Sequence, residues 1–114
     1  MIIGGNHTQA LSAALRGIDA QREAHEHNIA NVETPDFLAK RVTFADSLNR
    51  AIQRQNPGDM EISTYRSLDA TRPDGNNVRL DHEVVALERN ALHQQLMTQA
   101  LNHAYGRLRA AIGR

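Results

Sequence analysis

Asn28-Ile29-Ala30-Asn31-Val32-Glu33-Thr34-Pro35-Asp36-Phe37 is the stretch where a long helical pattern stops and the chain is made to turn. Pro35 drives Thr34 out of the α region, and Asn31 is a residue type that tolerates the left-handed conformation with which many helices close. The stop is therefore written locally. Phe37, one of two Phe in a chain that is only 4% aromatic, follows at once. It can dock back on the last helical turn through Ile29 or Val32, which would make the corner stiff.

Upstream of the corner, from about residue 8 to residue 32, the pattern is helical, with Asn6 or Thr8 available as N-cap. One seam runs Leu11, Leu15, Ile18, Arg22, His25, Ile29, Val32, at alternating spacings of four and three. A second strip, Ala10, Ala13, Gly17, Ala20, Ala24, has the same alternation and only small side chains. Ser12, Arg16, Asp19, Glu23 and Glu26 form a polar third strip. At about 100° per residue, roughly two thirds of the circumference can be buried. One partner helix covers only the first seam, so the small-residue strip predicts packing on a second side, as in a tube or bundle built from several molecules.

Downstream, Thr43 to Ile52 reads as a short amphipathic helix with Phe44, Leu48, Ala51 and Ile52 on one side, a Thr43/Asp46 capping pair, and Asn56-Pro57-Gly58 as its stop. Met60 to Tyr65 alternates weakly, as a short strand or extended arm does, and residues 66 to 77 are turn-rich. Asp81 is a good N-cap for a last helix reaching about Ile112, some 45 Å at about 1.5 Å per residue. Its seam is Leu80, Val84, Leu87, Ala91, Gln94, Thr98, Leu101, Tyr105, Leu108, Ile112, again spaced four and three and interrupted by Gln94 and Thr98. Matching seams predict that the two long helices pair antiparallel, with Leu11, Leu15 and Ile18 against the seam of the C-terminal helix. The expected fold is mainly α: two long terminal helices forming an antiparallel coiled-coil-like pair, with a short helix and an irregular or short β middle segment. Residues 1–114 are expected to form one domain, divided into an N-terminal helix (8–32), a middle segment (33–80) and a C-terminal helix (81–112).

At 114 residues the chain is one domain at most, and 40% hydrophobic residues with so few aromatics leave a thin core of Ala, Leu, Ile and Val. Thirteen basic residues balance thirteen acidic ones. Net neutrality argues against nucleic acid, because phosphate binding needs a surplus of Lys and Arg. There is no cysteine, hence no disulfide and no thiolate nucleophile. No apolar run approaches the roughly 20 residues of a membrane span, and the N-terminus has no signal-peptide pattern.

Six histidines invite a metal reading. His25 and His27 lie about 200° apart on a helix and cannot grip one ion. His82-Glu83 begins like a zinc-protease motif, but Ala86 stands where the second His belongs. His82, His93 and His103 are about three turns apart. Asp69 to Leu80 fails as a calcium loop, with Asp74 at the turn-Gly position and Leu80 at the bidentate acid position. No catalytic, cofactor-binding or metal residue is therefore expected, and no small-molecule substrate. The competing reading is a small helical enzyme or ligand-binding bundle in which Gln94, Thr98, Arg22 and His25 converge on a polar pocket.

The corner resembles the signature Asn-Ile-Ala-Asn-x-x-Thr-Pro-Gly-Tyr of bacterial flagellar axial proteins, the rod, hook and hook-associated subunits. Asn28, Ile29, Ala30, Asn31, Thr34 and Pro35 match it; Asp36 stands for Gly and Phe37 for Tyr. A second block, Arg72-Pro73-Asp74-Gly75-Asn76-Asn77-Val78-Arg79-Leu80-Asp81-His82-Glu83, resembles the segment before the C-terminal helix of the proximal rod members. Pro73, Asp74, Gly75, Asn76, Val78, Asp81 and Glu83 are its matching positions. The resemblance covers about residues 8 to 112. It implies a non-enzymatic rod subunit that self-assembles by helix packing, transmits torque for motility and binds no cofactor. The implied partners are other copies of itself, neighbouring rod proteins, the membrane-ring or adaptor proteins at the rod base, and the flagellar type III export apparatus, which exports such proteins without a cleaved signal. The residues expected to form assembly seams are Leu11, Leu15, Ile18, Ile29, Val84, Leu87, Ala91, Leu101, Tyr105, Leu108 and Ile112.

Overall fold

The computed structural model describes residues 5–112. In chain order it consists of helix α1 (Gly5–Ala30), strand β1 (Lys40–Thr43), helix α2 (Ala45–Gln53), a 3-10 turn (Pro57–Asp59), strand β2 (Ser63–Arg66) and helix α3 (Leu80–Ile112). The molecule is a rod of 63 × 25 × 14 Å. α1 and α3 run antiparallel: His25 and Asn28 near the end of α1 meet Glu83 at the start of α3, and further along Asn90 reaches the carbonyl of Ile18. The two helices begin three residues and one residue earlier than the expected ranges 8–32 and 81–112, so Asn6 and Thr8 lie inside α1. Asp81 sits in the first turn of α3, where its carboxylate accepts a hydrogen bond from the His82 amide at 2.9 Å.

α1 is packed on two sides, but both partners belong to the same chain. Its first seam faces α3, with Leu11 and Ile18 buried. Its small-residue strip faces the middle segment: Ala13 is buried against Ala51 and Met60, with Phe44 and Leu48 closing the cluster. At Gly17 the Phe44 ring comes so close that a Cβ would lie 2.4 Å from it. The small side chains thus admit an aromatic ring and a short helix of their own chain. The strip predicts a close neighbour; that the neighbour is residues 44–60 and not a second molecule depends on contacts between segments far apart in the sequence.

The face of α3 that packs on α1 is turned from the seam read in the sequence. Glu83, Asn90 and Ala104 are buried, and Leu87, Met97, Leu101 and Leu108 are half-buried. The packed row is therefore 83, 87, 90, 97, 101, 104, 108. It shares Leu87, Leu101 and Leu108 with the expected seam but replaces Val84, Ala91, Thr98 and Tyr105 by the residues preceding them, a rotation of about 50° at 100° per residue. Apolarity alone misplaces the contact because two of the packed positions, Glu83 and Asn90, are polar residues that find their partners on α1.

β1 and β2 form a two-stranded antiparallel sheet with Lys40 opposite Arg66, Arg41 opposite Tyr65, Val42 opposite Thr64 and Thr43 opposite Ser63. β1 falls in a segment with no strand signal, so only β2 is anticipated. Thr43 ends β1 and does not cap α2, whose N-cap position is Phe44 with no side-chain hydrogen bond. Leu48 and Ala51 join the core, while Ile52 is 43% exposed.

Candidate functional site

The corner after α1 is built from backbone groups satisfied by amide side chains. Asn31 closes the helix: its N–H bonds the carbonyls of His27 and Asn28, and its Nδ2 returns to the His27 carbonyl at 2.8 Å. Among the described residues the left-handed positions are Asp36 (φ 61°), Gln55 (φ 59°) and Gly75 (φ 84°), so Asn31 terminates α1 without that conformation and the chain reverses at Asp36 instead. Asp tolerates this region better than most residues because its short polar side chain bonds locally. The Asp36 amide donates to the Asp74 carbonyl at 2.9 Å, and a Cβ on Gly75 would lie 2.2 Å from the Asp36 carboxylate. Only glycine fits there, on both conformational and steric grounds.

The second block stitches this corner to α3. Asn76 is fully buried and donates Nδ2 to the carbonyls of Asn31 (2.9 Å) and Thr34 (2.8 Å), while its Oδ1 accepts the Val78 amide at 2.7 Å. Asn77, also buried, accepts the Ala39 amide at 2.7 Å and donates to the carbonyls of Ser67 and Asp69. Arg72 reaches the carbonyls of Val78 and Val32. Phe37 is half-buried between the His27 ring, 5.7 Å away, and the Arg66 guanidinium, 5.1 Å from its centroid. Its docking partners therefore include one residue of the last turn of α1 and a cation from β2.

One step further in, Asn28 and Glu83 meet. Asn28 clamps β1 to α1 through both backbone groups of Lys40, accepting the amide at 2.7 Å and donating to the carbonyl at 3.0 Å. The same Nδ2 donates to Glu83 Oε1 at 3.1 Å. Glu83, 1% exposed, also accepts from His25 Nδ1 at 2.8 Å and, through Oε2, from Arg41 at 2.9 Å. Burial pushes the Glu83 carboxyl up, but the hydrogen bonds from His25, Asn28 and Arg41 and the charge of Arg41 outweigh it. They hold the group below the ordinary glutamate value.

The two blocks thus come together around the end of α1: the matching residues Asn28 with Glu83 and Asn31 and Thr34 with Asn76, and the departing Asp36 with Asp74 and Gly75. Val78 is buried beside them, Pro35 is exposed, Ile29 is half-buried and Ala30 is exposed. Asn77, Arg41, Arg72 and His25 were not expected here. In the sequence His25 is a seam position of the first helix; its partner lies 58 positions away, and no local pattern signals such a contact. The four polar residues of the competing reading do not converge. Arg22 is held by Asp19 and Glu26, His25 by Glu83, and Gln94 and Thr98 are exposed. Among the described residues no three His, Asp or Glu are grouped to hold a metal, and no helix is long and apolar enough to cross a membrane.

α3 keeps a large uncovered surface. Leu80, Val84, Tyr105 and Ile112 are between 43% and 78% exposed. With the exposed Ala91 and Thr98, the positions 84, 91, 98, 105 and 112 form a strip at constant spacing of seven along the flank of the packed row. Val85, Leu92 and Leu96, each at least half exposed, lie on the far side of the helix.

No family model matches the chain. It is 27% identical to the flagellar basal body rod protein FlgB of Bacillus subtilis (strain 168) over 117 aligned positions, covering 91% of each protein. It is 29% identical to FlgB of Escherichia coli (strain K12) over 120 positions, covering 81% of this chain and 87% of that one. Identity to FlgB of Borrelia hermsii is 31% over 100 positions, covering 68% of this chain and 74% of that one. The extent of these alignments, and the way the matching residues converge on one buried corner, lead to a single assignment: the chain belongs to the FlgB family of flagellar basal body rod proteins.

Proposed function

We propose that this chain is a structural subunit of the proximal rod of the bacterial flagellar basal body, self-assembling by helix packing, transmitting torque and catalysing no reaction. The observation that carries the assembly part is the strip at 84, 91, 98, 105 and 112 on α3. A row spaced by seven along a long helix, apolar but for Thr98, is the pattern with which one helix receives another, and α1 and the middle segment leave this strip uncovered. Other copies and neighbouring rod proteins are the partners that fit it, and membrane-ring or adaptor proteins at the rod base and the flagellar type III export apparatus complete the set. Torque transmission fits the corner: buried amides and an ion pair tie the end of α1, β1 and the start of α3 into one stiff joint, so load on one helix passes to the other.

The test is complementation of a strain lacking its own copy, scored by swimming in soft agar and by blotting sheared basal bodies. Val84→Asp and Tyr105→Asp, at the exposed strip, are expected to leave a stable, exported chain that is absent from rods. Leu101→Asp, half-buried between α1 and α3, is expected to lower the chain's own stability as well, because a carboxylate enters the pair at a cost of several kcal/mol. His82→Ala, at an exposed position, is expected to swim normally. Intact rods carrying Val84→Asp with Tyr105→Asp would remove the case for the strip. Loss of motility in His82→Ala with normal incorporation would point to chemistry in place of packing.

A further inference from the structure

The ionised Glu83 carboxylate accepts hydrogen bonds from three side chains. His25 and Asn28 come from α1 and Arg41 from β1, at 2.8, 3.1 and 2.9 Å. The adjacent acceptor, the Lys40 carbonyl, already takes Asn28 Nδ2 and Arg41 Nη1. A protonated carboxyl in this cage would lose the attraction of Arg41 and keep less capacity to accept from the fixed donors Asn28 and Arg41. We propose that Glu83 is an acid-released latch: its ionised carboxylate holds the start of α3 in register on α1 and β1, and its protonation frees α3 from the corner while both helices persist.

The titratable and charged groups facing Glu83 are His25 from α1 and Arg41 from β1. Arg22, one turn back along α1, is engaged by Asp19 and Glu26, and Arg66 of β2 donates to the Leu38 carbonyl. The Glu83 carboxyl is lowered in the folded state, so its contribution is fully present above the ordinary glutamate value of 4.5 and is lost as the pH falls through its lower folded value. The remainder of the helix contact has weaker fastening. Asn90 gives one hydrogen bond to the Ile18 carbonyl and leaves Oδ1 buried without a partner, and beyond it the contact rests on Met97, Leu101, Ala104 and Leu108. Apolar contacts of this kind define register poorly compared with a buried ion pair.

The chain has no cysteine, so spin labels can be placed at will. Glu23→Cys with Glu88→Cys reports near the latch and Gln9→Cys with Asn102→Cys far from it; all four positions are exposed. Pulsed electron-spin distance distributions of the full chain would be followed from about pH 7 to about pH 3, beside circular dichroism and a carbon-13 titration of the Glu83 carboxyl. The near pair is expected to be narrow at neutral pH and to broaden in step with Glu83, below 4.5, with helical signal retained. Glu83→Gln, which places an NH2 among the donors, is expected to be broad already at neutral pH. Arg41→Gln keeps the carboxylate and is expected to move the transition to higher pH. A near pair that stays narrow after Glu83 has titrated overturns the proposal, as does Glu83→Gln matching the parent at neutral pH. Should Glu83→Gln lose its helices, Arg41→Gln decides, and an unchanged midpoint there overturns it too.

Discussion

Asn28 serves three groups with one side chain: the half-buried amide and carbonyl of Lys40 and the buried Glu83 carboxylate. Removing it leaves the Lys40 amide without its side-chain acceptor, while the Lys40 carbonyl keeps Arg41 and Glu83 keeps His25 and Arg41; an unsatisfied buried polar group costs about 1 to 3 kcal/mol. Asn28→Ala is therefore expected to lower the protection of the Lys40 amide by about 1 to 3 kcal/mol, read by native-state hydrogen exchange. Asn28→Asp retains an acceptor for that amide but sets a second carboxylate against Glu83, so at neutral pH its loss is expected to exceed that of Ala. The reverse order would mean that the Lys40 clamp, and not Glu83, dominates the site. Asp36 makes a related point. Where glycine is usual in the signature, an Asp at φ 61° is accommodated, because Gly75 opposite it has no side chain.

At the scale of elements, α1 is the centre of the molecule and α2 its cover. Replacing Gly17 by Ala would gain about 1 kcal/mol of helix propensity in an isolated helix. Here the new methyl would meet the Phe44 ring at 2.4 Å, and overpacking costs about 1 to 3 kcal/mol. The steric effect is expected to win. Gly17→Ala should lower the urea midpoint of the chain, and Phe44→Leu in the same molecule should restore part of it, since a leucine has less to displace. A midpoint raised by Gly17→Ala alone would show that Phe44 moves away freely and that the middle segment is loosely held. α3 contrasts with α1: one face packs on α1 and the rest of its apolar surface is exposed.

For the whole rod, order is distributed unevenly. The corner has the buried amides and the ion pair, whereas at the far end α3 continues to Ile112, 78% exposed, past the start of α1. In the isolated chain, amide exchange is expected to be slow around Phe37, Lys40 and Phe44 and fast over the last two turns of α3, the fraying end of a helix with little to cover it. Assembly into rods should slow the distal amides most. Uniform protection along α3 in the dilute monomer, or a single sharp melt above about 60 °C, would contradict ordering coupled to assembly.

The sequence by itself determined the two long helices, the stop between them and the turn before the second, because periodicity, Pro35, Asp74 and Gly75 act within a few residues of themselves. It also contained, at the right positions, the asparagines that build the corner, though nothing local says which carbonyl each one finds. Tertiary structure alone decided which face of α3 meets α1, that the small-residue strip of α1 is covered by Phe44 and α2 of the same chain, and that β1 exists. These depend on pairings across tens of residues: Glu83 with His25 and Arg41, Asn90 with the Ile18 carbonyl, β1 with β2. An apolar period ranks faces by hydrophobicity, and two positions on the face that packs are polar. Their burial is favourable only because donors and acceptors distant in sequence are brought within 3.1 Å of them.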